Sequence, residues 1–538
     1  MQRRMCFDDV AWEKSDEISD TWVLQFLDHD LLRPLGGFVW RYHEPDDVTE
    51  FGALSKGFFN ICVRMKYKDD SSSMIRFSQP GVTMFPEEKV RNEVAMMRYI
   101  KDQTAISLPF IFHWGTEGPL ELGPFILMDY IDHDMDMGDA LETPGRVRGE
   151  PQILDPNIDE GKLQMLYGQL AGVLLQLSKL AFPRIGSLSQ FDDFTWEVTR
   201  RPLSASMNEL VRVGTLPQSQ LPNENSTFDT ASSYFEALAE LHMKHLVYQR
   251  NDAVDSAADC RRKFIARRLF QKLAKDNKLT TPSLKHRPFS IWCDDFRPSN
   301  VLIKDHQIAG VLDWEFTYAA PAEFSCAPPW WLLIEKPEYW PEGLGDWTNT
   351  FEERLQIFLR AMAECEDTAI NGGRLTEEQR LSGPMRQSWE SGDFWIAYAA
   401  RQSFAFDEIY WQKIDPRFFG PTDSTETAWK HRLNLLDEKE RDEMERLVAL
   451  KLGQMQDRVL AWDPDERTKS LQGSAESDRG TETTHAAQSE GETDGVDEVT
   501  QSLQAQSIQD EVDIHGAGET RSTQDEGRVE GETLPEWI

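Results

Sequence analysis

The hydrophobic pattern of the chain changes character about a third of the way along, and this change restricts the possible folds. In residues 51–131 the apolar residues form short runs between turn-forming residues, which predicts strands in FFNICVRMKY, MIRF, PFIFHWG and PFILMDYI. Between the second and third of these runs, PEEKVRNEVAMMRYIKDQ has apolar residues at helical spacing and predicts a helix over residues 87–103. The expected order of this part is β-β-α-β-β.

From about residue 160 the apolar residues recur at helical spacing over long segments. Helices are predicted in KLQMLYGQLAGVLLQLSKLAF, over residues 231–247 and around residues 263–275, and one short β-like block, residues 288–314, interrupts them. A β-rich part followed by a helix-rich part predicts an α+β fold with two lobes. The expected boundaries are an N-terminal extension (1–50), a small β-rich lobe (51–131), a larger helical lobe (132–462) and a tail (463–538).

The tail differs in composition from everything before it. It is rich in Glu, Asp, Ser, Thr, Gln and Gly, and its few large apolar residues are scattered. Such a segment cannot bury enough surface to offset the entropy of ordering it. We expect an acidic, disordered tail that keeps the chain solvated, and a partner-binding role is the less favoured alternative.

Charge and cysteine content exclude several classes of protein. The formal net charge of −36 opposes binding to nucleic acid or to anionic membranes. No secretory signal and no stretch of about 18 uncharged apolar residues is found, so no membrane span is expected. The six cysteines form no C-x-x-C pair, which favours a reducing, cytoplasmic location. The oligomeric state is not predicted.

The residues best suited to chemistry lie in the short β-like block. If VLI and IAGVLD form two strands around the turn KDHQ, the second strand brings Asp313 close to Asn300, and Asp295 stands at the head of the preceding loop. Two carboxylates and an amide oxygen would then meet in one small region. Hard oxygen ligands of this kind suit Mg²⁺ that holds substrate phosphates.

The motifs of this block resemble those of a known superfamily. Asp295-Phe-Arg-Pro-Ser-Asn300 resembles the catalytic loop D-x-K/H-P-x-N of eukaryotic-type kinases, and Asp313-Trp-Glu resembles the metal-binding segment of aminoglycoside phosphotransferases and choline kinases. The chain is similar, over roughly residues 51–340, to the fungal branch of the aminoglycoside-phosphotransferase-like superfamily. The resemblance implies a protein-kinase-like fold that uses ATP and Mg²⁺ to phosphorylate a hydroxyl of a small-molecule acceptor.

The resemblance also implies roles for individual residues. Asp295 would be the catalytic base or orient the acceptor hydroxyl, and Arg297 would contact the transferring phosphate. Asn300 and Asp313 would hold Mg²⁺. The residues implied in nucleotide binding are the phosphate-binding Arg76, its helix partner Glu93, Gly57 and Asn60 in a nucleotide-covering turn, and Met128 and Tyr130 in the segment between the lobes.

Some features depart from the family pattern and leave alternatives open. Cys293 stands where the family usually has His, Arg76 replaces the usual Lys, and no G-x-G-x-x-G precedes it. A nucleotide-binding pseudokinase with a protein-interaction role is therefore the alternative function, and a metal-dependent hydrolase on an unrelated fold is a weaker one. Glu315 is a candidate for the metal or substrate site or a capping residue. The Trp-rich segment 327–341 either packs in the core, which we favour, or lines an acceptor pocket.

Overall fold

The computed structural model describes residues 5–27, 29–43, 48–147, 150–192 and 195–461, so the predicted tail lies outside the described residues. The first part of the chain contains a five-stranded antiparallel sheet, in which the fifth strand along the chain lies between the third and the fourth. Its elements, with two helices that precede it, are α1 (Asp9–Val23), α2 (His29–His43), β1 (Val48–Lys56), β2 (Asn60–Tyr67), β3 (Ser72–Ser78), α3 (Pro86–Gln103), β4 (Ile111–Gly115) and β5 (Phe125–Asp129).

The sheet forms where the sequence alternates apolar and polar residues. In β2, every second side chain from Ile61 to Tyr67 is buried, as expected for a strand with one face on the core. Asp70 takes a φ of 65° in the turn to β3, a conformation that Asp adopts more readily than most residues. The predicted β-β-α-β-β order is confirmed within this sheet, although β1, an additional strand, was not predicted.

Two helices that the sequence analysis did not predict cover one face of the sheet. Trp22 and Phe26, at the end of α1 and just after it, pack with Leu35 and Val39 of α2 against buried sheet residues that include Phe77. Their burial removes apolar surface from water on both sides of the contact, which stabilises the N-terminal segment on the sheet. Helices α1 and α2 are therefore part of the fold.

The rest of the described chain is mainly helical, with short strands, so the two-lobed α+β fold is confirmed. Helices were predicted over residues 162–182, 231–247 and 263–275, and they form at Glu160–Ser178, Ala231–Tyr248 and Ala257–Lys275, whereas the hairpin of the strands Ser187–Asp192 and Thr195–Arg200 was not predicted. The elements are β6 (Met135–Asp136), α4 (Met137–Leu141), α5 (Glu160–Ser178), β7 (Ser187–Asp192), β8 (Thr195–Arg200), α6 (Ala205–Arg212), α7 (Ala231–Tyr248), α8 (Ala257–Lys275), β9 (Ser290–Cys293), β10 (Val301–Lys304), β11 (Gln307–Val311), β12 (Thr317–Ala320), α9 (Ala322–Ser325), α10 (Leu344–Asn371), α11 (Ser382–Ser391), α12 (Asp393–Ala399), α13 (Phe406–Ile409), α14 (Asp415–Phe419), α15 (Ala428–Arg432) and α16 (Glu438–Gln454).

The β-like block of the sequence analysis folds as predicted. β10 and β11 form an antiparallel hairpin, and β9 pairs with β12. Just beyond the hairpin, the Leu312 amide donates to the carbonyl of Asn300 at 2.8 Å. This hydrogen bond brings Asp313, the next residue, beside Asn300 in the loop that follows β9.

The Trp-rich segment packs in the core, as favoured. Trp330 and Trp331 are buried, and the ring of Trp331 lies 5.8 Å from that of Phe296 and 6.0 Å from that of Phe358 in α10. These aromatic contacts fix the loop that follows β9 against the helical lobe. In the part of the chain that the structure describes, every helix is too short or too polar to span a bilayer.

Candidate active site

One cleft of about 680 Å³ collects the residues that the sequence analysis singled out. It lies between the sheet, helix α3 and the loops at the ends of β9 and β11. All ten candidate site residues line it: Gly57, Asn60, Arg76, Glu93, Met128, Tyr130, Asp295, Arg297, Asn300 and Asp313. The fold thus brings together side chains that are separated by up to 256 positions in the sequence.

Arg76 joins three segments of the cleft. Its guanidinium forms an ion pair with Glu93 of α3, and its Nη1 lies 2.5 Å from Oδ1 of Asp313. Burial alone would lower the pKa of Arg76, but Glu93 and Asp313 raise it above its ordinary value, so the group is charged. Burial raises the pKa of Glu93 and of Asp313, and the charge of Arg76 opposes this effect on both. A single cation therefore holds the sheet, the helix and the segment after β11 together.

A second buried cation, Lys89, was missed by the sequence analysis. Its Nζ lies 2.5 Å from Oε2 of Glu315 and 2.6 Å from Oδ1 of Asn60, and the Asn60 amide donates to Glu315 at 2.8 Å. Although burial would raise the pKa of Glu315, Lys89, with Arg76 and Asn60, holds it below its ordinary value. The available signal was its position four residues before Glu93, which places both side chains on one face of α3.

The loop after β9 is arranged around Asp295. The Asn300 amide donates to the carbonyl of Asp295 at 2.8 Å and to its Oδ2 at 3.0 Å, and Nε of Arg297 lies 3.2 Å from Oδ1. The neighbouring Asp294 accepts hydrogen bonds from Trp292 at 2.6 Å and from the amide of Ala205 at 3.3 Å, which fits a structural role. The carboxylate of Asp295 is therefore fixed by groups of its own loop.

Cys293 is a buried side chain beside the segment after β11. Its Sγ lies 3.7 Å from the carbonyl of Asp313 and 3.8 Å from that of Glu315, at weak hydrogen-bond distance. Burial raises the pKa of the Cys293 thiol well above its ordinary value, so the group is a neutral thiol. Asp313 itself takes a φ of 53°, in the left-handed region that costs a non-glycine residue free energy. The thiol thus contacts the backbone on both sides of Trp314, and Cys293 stands where the superfamily that the motifs resemble usually has His.

The oxygen donors near Asp313 fit a magnesium ion. The Asp313 side chain is 33% exposed toward the cleft, unlike Glu93 and Glu315, which are buried. The amide nitrogen of Asn300 is used on Asp295, which leaves its Oδ1 for a ligand. Within the described ranges there is no group of three or more His, Cys, Asp or Glu able to enclose a metal. Phosphate and water oxygens would therefore complete the coordination, as is usual for Mg²⁺.

The turn between β1 and β2 and the strand β5 both contribute residues to the lining of the cleft. The Gly57 amide donates to the carbonyl of Asn60 at 2.9 Å, and a Cβ on Gly57 would lie 3.5 Å from that same oxygen, an ordinary contact. Glycine is therefore not required at this position. Tyr130 lies just beyond β5, and the guanidinium of Arg64 stacks over its ring at 3.6 Å from the ring centre. Met128 pairs with Met74 of β3.

Comparison with known proteins gives one sequence match and several structural ones. A model of the phosphotransferase enzyme family matches residues 74–332, and no curated protein matches the chain. Among solved structures, the chain is similar to the streptomycin–ATP–APH(2″)-IIa ternary complex (10% identity, TM-score 0.39, covering 72% of this chain and 98% of that one). It is also similar to ADP-bound aminoglycoside phosphotransferase APH(2″)-Ib (11%, 0.35, 68% and 99%) and to macrolide 2′-phosphotransferase type I (13%, 0.35, 74% and 94%).

The family match covers the residues that carry the candidate chemistry. It includes Arg76, Glu93 and the whole block from Asp295 to Asp313, and it leaves out α1, α2, β1 and β2. The resemblance read from the motifs of this block and the match of the family model identify the same group of proteins. Residues 74–332, which carry the candidate chemistry, thus match the phosphotransferase enzyme family.

Proposed function

We propose that this protein is an ATP- and Mg²⁺-dependent phosphotransferase that transfers the γ-phosphate of ATP to a hydroxyl of a small molecule. The observation that carries the proposal is the ion-paired Arg76, which links a buried helix carboxylate, Glu93, to the partly exposed carboxylate of Asp313 inside the cleft. Phosphoryl transfer needs positioned charges of both signs around the phosphates more than it needs a covalent catalyst. The cleft supplies both.

The nucleotide would lie under the turn of residues 57–60 with its base against the segment after β5. Backbone groups near Met128 and Tyr130 are the candidates for adenine contacts. Arg76 presents a planar guanidinium that suits phosphate oxygens, and Glu93 keeps this side chain in place. The replacement of the usual lysine by arginine therefore preserves a phosphate-binding charge.

Asn300 and Asp313 are the residues that would hold Mg²⁺. When bound, the ion neutralises the negative charge of the ATP phosphates. Both residues offer hard oxygen donors on the same side of the cleft, and the pairing of Leu312 with Asn300 keeps their segments together.

Asp295 would orient the acceptor hydroxyl and accept its proton, and Arg297 would neutralise charge on the transferred phosphate. The contacts of Asp295 with Asn300 and Arg297 fix its carboxylate at the mouth of the metal site. An acidic acceptor site would suit a cationic acceptor such as an aminoglycoside or an amino alcohol. The free thiols of all six cysteines fit a reducing, cytoplasmic compartment.

Binding and transfer are tested separately on the full chain. We expect calorimetric titration with ATP to show binding that strengthens when Mg²⁺ is added, and labelled γ-phosphate to appear on a hydroxyl compound in a panel of aminoglycosides and amino alcohols. Asp295→Asn is the matched control for transfer. Absence of ATP binding at millimolar concentration contradicts the proposal, and ATP binding without transfer to any acceptor or to water supports the nucleotide-binding pseudokinase instead.

A further inference from the structure

Helix α1 lies outside the family match and bridges two parts of the molecule. Toward the sheet, its buried Ser15 donates to the carbonyl of Gly81 at 2.9 Å, and its buried Ser19 donates to Oε1 of Gln79 at 3.1 Å. Gln79 and Gly81 belong to the connection between β3 and α3. The helix therefore contacts the sheet side of the cleft through two serine hydroxyls.

The same helix is bonded to the helical lobe. Arg212 of α6 donates from Nε to Ser15 at 2.6 Å and from Nη2 to Asp16 at 3.2 Å. Asp8, the N-cap of α1, accepts from the backbone and side-chain amides of Asn251 at 2.9 and 2.8 Å. Because α1 is held at several points on the helical lobe, it is a fixed support for whatever it contacts on the sheet.

Gln79 transmits this support to the turn over the cleft. Its side chain is fully buried, and its Nε2 lies 2.7 Å from the carbonyl oxygen of Gly57, 2.8 Å from that of Phe58 and 3.2 Å from that of Asn60. Three acceptors around one atom require the amide nitrogen there, so the orientation of the side chain is unambiguous. Its backbone amide also donates to Phe59 at 2.9 Å.

These bonds decide which way the turn presents its amides. In a trans peptide the N–H points opposite to the preceding carbonyl, so the N–H groups of Phe58 and Phe59 point away from Gln79. Phe58 and Phe59 line the cleft, whereas Gln79 does not. Within the described ranges, neither N–H donates to a protein acceptor. Two successive N–H groups with the same direction form a site suited to a phosphate oxygen.

We propose that Gln79 is a positioning residue for the nucleotide phosphates. It holds the turn carbonyls on the buried side so that the amides of Phe58 and Phe59 face the cleft, and α1 keeps Gln79 in place through Ser19. The inference rests on the proposed function, because it requires a nucleotide in this cleft. It adds to that function a phosphate-orienting residue and an N-terminal helix on which the residue depends.

The test compares a nucleotide that has phosphates with one that has none. Affinities of the full chain for ATP, by calorimetry, and for adenosine, by ligand-observed magnetic resonance, are measured in the native protein, Gln79→Leu, Ser19→Ala and Ser15→Ala. We expect Gln79→Leu to lower the ATP affinity about tenfold and to leave the adenosine affinity unchanged, because only phosphate contacts are lost. Ser19→Ala should lower the ATP affinity about two- to threefold.

Ser15→Ala is the matched control, because it removes a buried serine bond of the same helix that does not touch Gln79. Its ratio of ATP to adenosine affinity should equal that of the native protein. An unchanged ratio of ATP to adenosine affinity in Gln79→Leu overturns the inference, whether or not the variant binds both ligands more weakly. If Gln79→Leu does not fold, the ratio in Ser19→Ala decides alone. A native protein that binds neither ligand contradicts the proposed function itself.

Discussion

Lys89 and Glu315 form a buried ion pair in which Nζ lies 2.5 Å from Oε2, and the amide of Asn60 donates to the same carboxylate oxygen. The pair connects α3, the segment after Asp313 and the first residue of β2. It also gives Glu315 a partner other than a metal, which sets it apart from the more exposed Asp313. Two buried cations, Lys89 and Arg76, therefore lie beneath one cleft.

We predict that Lys89→Met destabilises the protein by about 3–5 kcal/mol, because it leaves the charge of Glu315 buried without its ion-pair partner, with the Asn60 amide as a hydrogen-bond donor and Arg76 as a nearby cation. The double variant Lys89→Met/Glu315→Gln should recover most of this loss, since a glutamine oxygen still accepts from Asn60 and carries no charge. Urea unfolding at neutral pH measures both variants. If the double variant is less stable than Lys89→Met alone, the pair is not the source of the effect.

We predict that Arg76→Lys lowers the affinity for Mg·ATP about tenfold. The guanidinium of Arg76 contacts Glu93 and Asp313 with different nitrogens, and a single ammonium lacks the geometry to bridge them while facing a phosphate. Calorimetric titration of the full chain measures the change. Arg91→Lys, in α3 and outside the cleft, is the control and should bind as the native protein does. Equal effects of the two substitutions would show that the loss is not specific to the bridge.

We predict opposite roles for the two carboxylates of the metal and acceptor sites. Asp313→Asn should abolish the gain in ATP affinity on adding Mg²⁺. It should also raise the affinity for metal-free ATP several-fold, because the negative charge that pairs with Arg76 and repels the phosphates is removed. Asp295→Asn should leave Mg·ATP affinity within about twofold of native and suppress turnover, measured as phosphate transfer to an acceptor or to water. A similar loss of Mg·ATP affinity in both variants would contradict this division.

The sequence was most informative where chemistry and secondary structure coincide. The turn residues between VLI and IAGVLD predicted the β10–β11 hairpin, and once the hairpin forms, Asp313 has to return beside Asn300. All ten candidate residues line the cleft; the spacing within this block indicated Asp295, Asn300 and Asp313, and the family resemblance implied the others. Their roles remain predictions that the variants above test.

Other parts of the site depend on contacts between segments far apart in the sequence. Lys89 and Gln79 look like ordinary polar residues, and only the fold shows that each is buried against the turn of residues 57–60. Helix α2 contains Pro34 and two glycines, which local propensity disfavours in a helix. A Cβ on Gly36 would meet the ring of Phe51 at 2.9 Å, so a close approach to β1 explains this glycine. Such packing cannot be inferred from periodicity alone.

The last prediction concerns Asp136, the last residue of β6 and the N-cap of α4. Its Oδ1 accepts from the amide of Asp139 at 2.9 Å, but burial raises its pKa from 3.8 to about 6. The nearby carboxylates of Asp139 and Glu142 add to the rise, and the amides of Asp139 and Gly138 oppose it. A carboxyl group whose pKa is raised in the folded state contributes stability that is fully present below pH 3.8 and is lost as the pH rises through about 6.

Asp136→Asn keeps an acceptor for the cap and removes the titration. We therefore expect its melting temperature to match that of the native protein most closely near pH 3.8 and to exceed it by about 1–2 °C at neutral pH. After allowance for solvent screening of a partly exposed group, the gain corresponds to about 1 kcal/mol. Asp159→Asn, at the exposed N-cap of α5, is the control and should show no such trend. If the difference in melting temperature between Asp136→Asn and the native protein stays constant from pH 3.8 to neutral pH, burial does not raise the pKa of Asp136.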